Sequence, residues 1–248
     1  MSLRGKAALI TGAASGIGRA LATALLQRSC NVAVADFNAE NGRKAESELN
    51  ATSAASSRAL FVECDVSNTT SLRSAFERTV STFGRLDIVC NNAGIAVEHP
   101  DDWKSTIDTN LSAVIDGTYL AIEHMASRGG GVVINVASMG GLIPMSVSPV
   151  YCAAKHGVLG FTKSVWGYAK KRGVRVNAIC PTMVRTPMLE AGMAINPAFK
   201  KYAEEAGTVE MDVVIGGMLE LLENETHNGA IMRVTLQKGV DFQKYSKM

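Results

Sequence analysis

Short, uniformly apolar runs alternate along the chain with longer runs whose apolar residues recur at helical spacing. "KAALIT" (6–11), "NVAVAD" (31–36), "ALFVECDV" (59–66), "LDIVCNNAG" (86–94), "GVVINVAS" (131–138), "VRVNAICP" (174–181) and "AIMRVT" (230–235) read as strands. None alternates apolar with polar, the mark of strands covered on both faces. Between them, 16–28, 39–50, 69–82, 103–126, a long stretch from about 149, and 209–223 read as helices. In the first of these Ala20, Leu21, Ala24 and Leu25 share one face. Strands separated by helices are joined by parallel crossovers. The pattern therefore predicts one α/β domain over 1–248, a doubly wound parallel sheet of about seven strands. In such sheets ligands sit beyond the carboxyl ends of the strands, where the strand order reverses. The segment 183–207, "MVRTPMLEAGMAINPAFKKYAEEAG", fits no strand–helix unit and is expected to cover that site.

Composition agrees with one large buried core: 47% of residues are hydrophobic and 19% charged. A net charge of +2 without a long basic run gives no footprint for nucleic acid. The cations at Lys170–Lys171–Arg172 and Lys200–Lys201 read as solvated helix ends. Five cysteines, 30, 64, 90, 152 and 180, are odd in number and set in apolar runs, which predicts free buried thiols in a reducing, cytoplasmic compartment. The first twelve residues reach a glycine turn too early for a secretory leader, and no apolar run approaches a bilayer span. Histidines 99, 124, 156 and 227 lack ligand spacing, so no metal site is expected.

The first strand exits into "TGAASGIG", with Gly12, Gly16 and Gly18 spaced GxxxGxG. Glycine permits the tight turn and lets backbone approach a pyrophosphate, which the following helix amino terminus attracts with free N–H groups. An ordinary βα turn has similar composition. Its place in the first βα unit, with Asp36 at the tip of the second strand, adds weight, because an acid there binds adenosine ribose hydroxyls. That carboxylate would repel a 2′-phosphate, Phe37 offers no charge to offset it, and Arg19 lies one residue into the helix. NAD is the cofactor expected.

In "SPVYCAAKHG" Ser148 and Pro149 read as N-cap and first helical residue, which puts Tyr151 and Lys155 on one face at i, i+4. A phenol is a poor base near neutrality, and a close ammonium is expected to lower its pKa so that it can exchange a proton with an alcohol. A core tyrosine beside a surface lysine has the same spacing. Ser138, ending "VVINVAS", and Asn110, an amide inside the helical "TIDTNLSAVIDG", add two further polar groups. Asn110 also suits a helix kink or a helix–helix hydrogen bond.

Taken together, "TGAASGIG", "CDV", "NNAG", Asn110, Ser138 and "YCAAK", in this order across essentially the whole chain, resemble the short-chain dehydrogenase/reductase family in its single-domain branch. The resemblance implies a Rossmann-type fold and an oligomer, either homodimer or homotetramer. It implies Tyr151 as general acid/base and Lys155 as the group that lowers its pKa and binds the nicotinamide ribose. Ser138 would orient the reacting oxygen, and Asn110 would hold a water in the proton relay. It further implies cofactor contacts from Gly12, Ser15, Gly16, Ile17, Gly18, Asp36, Phe37, Cys64, Asp65, Val66, Asn92, Ala93, Gly94, Pro181, Val184 and Thr186. "WKSTIDTNLSAVIDGTYL", "VRVNAICP" and "NGAIMRVTLQKGVDFQ" resemble the branch that oxidises 15-hydroxyprostaglandins with NAD. The chain departs from that branch where substrate is read: Ser148 stands in place of a glutamine, and Thr182–Met183 in place of Gly–Phe. The covering segment is also shorter.

The expected activity is NAD-dependent interconversion of a secondary alcohol and a ketone on a lipid-like substrate such as a 15-hydroxyprostaglandin or hydroxy fatty acid, with Ser138, Ser148 and Met183 at the substrate. A steroid, terpenoid or aliphatic alcohol is the alternative within enzymes, and a non-catalytic NAD-binding scaffold the alternative outside them. Met139, Met145, Met188 and Met193 suit either an adaptable apolar pocket or ordinary core. Phe161 and Trp166 suit either core or a subunit interface.

Overall fold

A computed structural model describes residues 2–53, 57–96 and 100–244. His99 lies outside the described residues. The strands are β1 (Ala7–Thr11), β2 (Asn31–Asp36), β3 (Ala59–Glu63), β4 (Ile88–Asn91), β5 (Gly131–Val136), β6 (Val174–Pro181), β7 (Ile231–Thr235) and β8 (Gly239–Phe242). They form one sheet in the order β3-β2-β1-β4-β5-β6-β7-β8. All pairings are parallel except β7 with β8. The sheet thus has eight strands where about seven were expected. The additional one is a short antiparallel edge strand, held to β7 partly by the ion pair of Arg233 with Asp241.

The sheet explains the uniformly apolar runs. Alternate residues of the same strand enter two different cores: Ala8, Ile10, Val32, Val34, Ile88 and Ile134 on one face, and Leu9, Ala33, Ala35, Val89 and Val133 on the other. Helices α1 (Gly16–Leu26) and α9 (Met211–Glu223) cover the first face with Leu21, Leu25, Met218 and Leu222. Helices α3 (Thr69–Phe83), α5 (Ala113–Ala126) and α6 (Pro149–Lys170) cover the second with Phe76, Met125 and Val165. Period-two alternation is present, but both phases are buried, so the sequence shows no polar phase. All five cysteines are free and buried, as composition implied.

The helix expected over 103–126 is not uniform. After α4 (Trp103–Ile107) one π-turn spans Asp108–Ser112 before α5 resumes. Helix α2 (Ala39–Thr52) begins at Asn38, whose side chain accepts the Asn41 N–H. The segment 183–207 folds as two short helices, α7 (Pro187–Ile195) and α8 (Pro197–Ala206), each opened by a capping side chain, Thr186 and Asn196. They carry a small apolar cluster of their own, with Leu189, Phe199 and Ala203 at its centre. The chain leaves and rejoins the body at one point, where Val184 pairs with Val209 and the Val209 N–H donates to Met183. Among the described residues no helix is long and apolar enough to cross a membrane.

Candidate active site

Strand order reverses at β1, which lies between β2 and β4. Beyond the carboxyl ends of these strands opens a cavity of about 830 Å³. At one end is the glycine turn. Gly12 and Gly16 have φ of 63° and 56°, a region that favours glycine, and both line the cavity with Ser15 and Ile17. Ser15 is the N-cap of α1, yet its side chain makes no capping hydrogen bond. The helix amino terminus therefore faces the cavity without a side-chain cap, the donor set that suits an anion such as phosphate. Gly18 lies behind this wall. A Cβ there would stand 2.5 Å from the Gly12 carbonyl oxygen and 2.6 Å from Asn92 Nδ2, so its absence lets α1 pack against the turn.

Thr11 and Asn92 tie the exits of β1 and β4 together. The Asn92 and Ala93 N–H groups donate to Thr11 Oγ1 at 3.0 and 3.1 Å, and Asn92 Nδ2 donates to the carbonyls of Thr11 and Gly12. At the tip of β2 the buried Asp36 carboxylate accepts the Ala14 and Asn38 N–H groups, each at 3.0 Å, and lines the same cavity with Phe37, Cys64, Asp65 and Val66. Burial pushes the Cys64 thiol up to about 11, so it is a neutral wall rather than a nucleophile. Arg19 is held by Glu48 and does not line the cavity. An uncapped helix start, glycine walls and a buried acid at the tip of β2 fit a dinucleotide.

Farther along, Asn92, Ala93, Gly94, Pro181, Val184 and Thr186 line the passage to the second end, where Ser138, Ser148, Tyr151 and Met183 gather. Ser138 follows β5 and accepts the Gly140 N–H at 3.1 Å, which orients its hydroxyl oxygen. It is hydrogen-bonded to the Tyr151 phenol on α6. Ser148 is the N-cap of α6, as expected; its side chain makes no capping bond, and the residue is buried against the cavity. Around them the wall is apolar: Ile95, Ala96, Met145, Met188, Leu189 and Phe199. Of these only Met145 and Met188 were candidates from sequence.

The Tyr151–Lys155 pair differs from expectation in one respect. Burial raises the Tyr151 pKa, and the Ser138 hydrogen bond opposes that rise. The buried Lys155 ammonium donates to the Val136 carbonyl at 2.9 Å and stands 5.6 Å from the centroid of the Tyr151 ring, so it can act on the phenol through its charge. Burial draws Lys155 itself down to about 8. Lys155 lies just outside the cavity lining, as does Asn110. Asn110 is fully buried in the π-turn, where its amide spans the loop after β4: Ile95 N–H donates to Oδ1 at 2.8 Å and Nδ2 donates to the Ile95 carbonyl at 2.7 Å. It is neither a helix–helix bond nor a simple kink. The extra residue of the π-turn accompanies an amide that fixes a loop wall of the cavity.

A polar network the sequence reading did not single out lies beneath this floor. Asn91 Nδ2 donates to Asn135 Oδ1 at 2.9 Å and to Thr118 Oγ1 at 3.1 Å, and Asn135 Nδ2 donates to Thr162 Oγ1 at 3.0 Å. All four residues are buried, and they join β4, which leads into Asn92, with α5, β5, which ends at Val136, and α6, which carries Tyr151. Two amides inside the apolar runs "DIVCNN" and "VVINVAS" were the available signal.

The family model for short chain dehydrogenases matches residues 6–223. The chain is 41% identical to the NAD(+) 15-hydroxyprostaglandin dehydrogenase of Homo sapiens, over 99% of this chain and 96% of that protein. It is 36% identical to cyclohexanol dehydrogenase of an Acinetobacter species, over 74% of this chain and 75% of that one. The crystal structure of levodione reductase superposes with a TM-score of 0.86 at 26% identity, covering 94% of this chain and 96% of that one.

Proposed function

Since the chain belongs to the short-chain dehydrogenase family, we propose that it oxidises an apolar, lipid-like secondary alcohol to a ketone with NAD, and reduces the ketone in reverse. The observation that carries this reading is the hydrogen-bonded Ser138–Tyr151 pair at the apolar end of a cavity whose other end is the glycine turn and Asp36. Relatives named for NAD(+) and for alcohols as different as 15-hydroxyprostaglandin and cyclohexanol support the reaction type more narrowly than the substrate.

The residues divide the work as follows. Gly12, Ser15, Gly16 and the start of α1 receive the pyrophosphate, and Asp36 the adenosine ribose, with Phe37, Cys64, Asp65 and Val66 flanking the adenine. Asn92, Ala93, Gly94, Pro181, Val184 and Thr186 position the nicotinamide half, and Lys155 its ribose. Bound NAD supplies the acceptor for the carbinol hydride. Tyr151 Oη removes the alcohol proton as the carbonyl forms, and the one Ser138 hydroxyl proton bonds the phenolate before the transfer and the reacting oxygen as the proton moves. Ionising Tyr151 in this setting needs support, because burial alone favours the neutral phenol. Ser138 gives part of it, and the Lys155 charge nearby adds to it once the phenolate forms. Asn110 fixes the Ile95 loop and carries a water of the proton relay. Ser148 and Met183 face the substrate, and α7 with α8 covers it.

We place the protein in a reducing cytoplasm, as a homodimer or homotetramer; its five free, buried cysteines support the first of these. The test is NADH formation against a panel of hydroxy fatty acids, prostaglandins, steroids and simple alcohols, beside direct measurement of NAD binding. Turnover concentrated on apolar secondary alcohols supports the reading. NAD binding with no turnover of any member would replace it with a binding scaffold.

A further inference from the structure

The covering helices contain a contact whose consequence reaches the cavity. Gly192, in the middle of α7, is buried, and the ring of Phe199 on α8 occupies the space a side chain would take there. A Cβ on Gly192 would stand 2.9 Å from Phe199 Cε1 and 3.2 Å from Cδ1. Phe199 belongs to the small cluster with Leu189, Ala203, Val147 and Met183, and it also lines the cavity. Val147 adjoins Ser148 and Met183 faces the substrate, so this ring stands on the Tyr151 side rather than the Asp36 side.

The remaining packing leaves the ring little freedom. The Phe199 backbone is fixed by its N–H bond to Asn196 Oδ1 at 3.0 Å, and the Asn196 N–H donates to the Gly192 carbonyl at 3.1 Å. The α7–α8 corner is therefore a short hydrogen-bonded turn that sets the distance between Gly192 and Phe199. With α7 backbone on one side and the cavity on another, a ring displaced from Gly192 moves toward the cavity.

From this geometry we propose that Phe199 is the end stop for the apolar chain of the substrate and that Gly192 is the positioning residue that holds the stop back. The pair sets how long a chain fits beyond the carbinol carbon. This inference rests on the reading of the cavity as a site for an apolar secondary alcohol and narrows it to a chain-length specificity. The wall methionines, Met145, Met183 and Met188, adapt to the width of a chain, whereas a phenyl ring seated on backbone limits its length. One methylene in an apolar pocket is worth roughly 10- to 200-fold in selectivity, so a shift of the ring by the width of a methyl group is measurable.

The experiment measures kcat/KM with NAD on straight-chain secondary alcohols from butan-2-ol to dodecan-2-ol, for wild type, Gly192→Ala, Phe199→Leu and the double variant. Binding of the matching methyl ketones with NADH is followed in parallel by thermal shift. Gly192→Ala should lose about tenfold or more on the longest chains that wild type accepts, with about twofold or less on the shortest. Phe199→Leu should extend the accepted length. In the double variant the alanine has no ring to displace, so its profile should follow Phe199→Leu. A uniform loss over the series in Gly192→Ala, or a double variant that simply adds the two single effects, overturns the proposal. So does a length profile that neither variant moves while turnover persists, and this leaves the alcohol dehydrogenase reading intact. Ketone binding that shows the length shifts without any turnover supports the end stop and removes the dehydrogenase reading. Absence of both turnover and length-dependent binding removes both. If Gly192→Ala does not fold, Phe199→Leu and Phe199→Trp decide alone, with longer and shorter limits expected respectively.

Discussion

The ammonium of Lys155 donates to the carbonyl of Val136 at 2.9 Å, joining the second turn of α6 to the last residue of β5. Both ends of this bond are buried. It places a cation under the Ser138–Tyr151 pair at a cost, since burial disfavours the charge and lowers the lysine from its ordinary 10.5 to about 8. Between these two values the unfolded chain holds a proton that the folded chain has lost, so folding gains stability as pH rises through that window. Below about 8 the penalty is present in full. Lys155→Met should therefore be more stable than wild type at pH 7, by roughly 1–2 kcal/mol after allowing for the lost hydrogen bond. The advantage should shrink steadily from pH 8 to 10.5. Urea denaturation of both proteins without cofactor across this range measures it, and a pH-independent difference would contradict the buried charge.

Tyr151→Phe keeps the ring and removes the only group at the pair able to take the alcohol proton. Turnover should fall by roughly 10²–10⁴-fold while NAD affinity stays within a few fold. Single-turnover kinetics together with cofactor titration separates the two quantities, and near-normal oxidation by the variant would remove Tyr151 from the mechanism.

Asp36 presents its carboxylate at the dinucleotide end of the cavity, and Phe37 beside it is three-quarters exposed at 75%. Asp36→Ala should weaken NAD, and Asp36→Ala with Phe37→Arg should then raise NADP use through a charge-assisted bond to the 2′-phosphate. The ratio of kcat/KM for the two cofactors reports the switch. A wild-type preference for NADP would contradict the role given to Asp36.

Ser148 is buried at the start of α6 beside the reacting pair, and its side chain makes no capping bond. A glutamine there would reach farther into the cavity toward a substrate hydroxyl. Sites that hydrogen-bond a hydroxyl discriminate strongly, and roomy apolar ones weakly. Wild type is expected to tolerate a broad range of secondary alcohols, and Ser148→Gln to narrow that range while improving any activity on 15-hydroxyprostaglandins. Comparing kcat/KM across prostaglandin, steroid and aliphatic alcohols decides it; strict wild-type selectivity for one prostaglandin would reduce Ser148 to a tolerated helix cap.

The strands and most helices were legible because uniformly apolar runs have one physical meaning in a sheet covered on both faces. The glycine turn and Asp36 were legible because few other residue types satisfy that turn and that strand tip. β8 was not, since all four of its residues are only half-buried and its strand state comes from pairing with β7 and the Arg233–Asp241 contact. The π-turn was hidden because one additional residue in a turn barely alters helical periodicity. Spacing put Tyr151 and Lys155 on one face, but it could not show that the ammonium bonds to Val136, since that carbonyl is supplied by another element. For the same reason Gly192 and Phe199 read as ordinary helix residues until α7 folded against α8.

The pairing of Val184 with Val209 has a consequence for how this site can change over generations. Everything between these two residues is a roof: it has its own caps and a closed base, and its small cluster rests on Val147 and Met183 of the body. Residues inserted, deleted or exchanged within α7 and α8 alter what the cavity admits while the β5 exit that carries Ser138, the α6 turn that carries Tyr151 and the glycine turn belong to other elements. Closing such a loop costs only slightly more as it lengthens, so its length is almost free to vary. A lineage built on this floor can therefore try new substrates by redrawing one stretch of chain, while its proton chemistry is inherited unchanged.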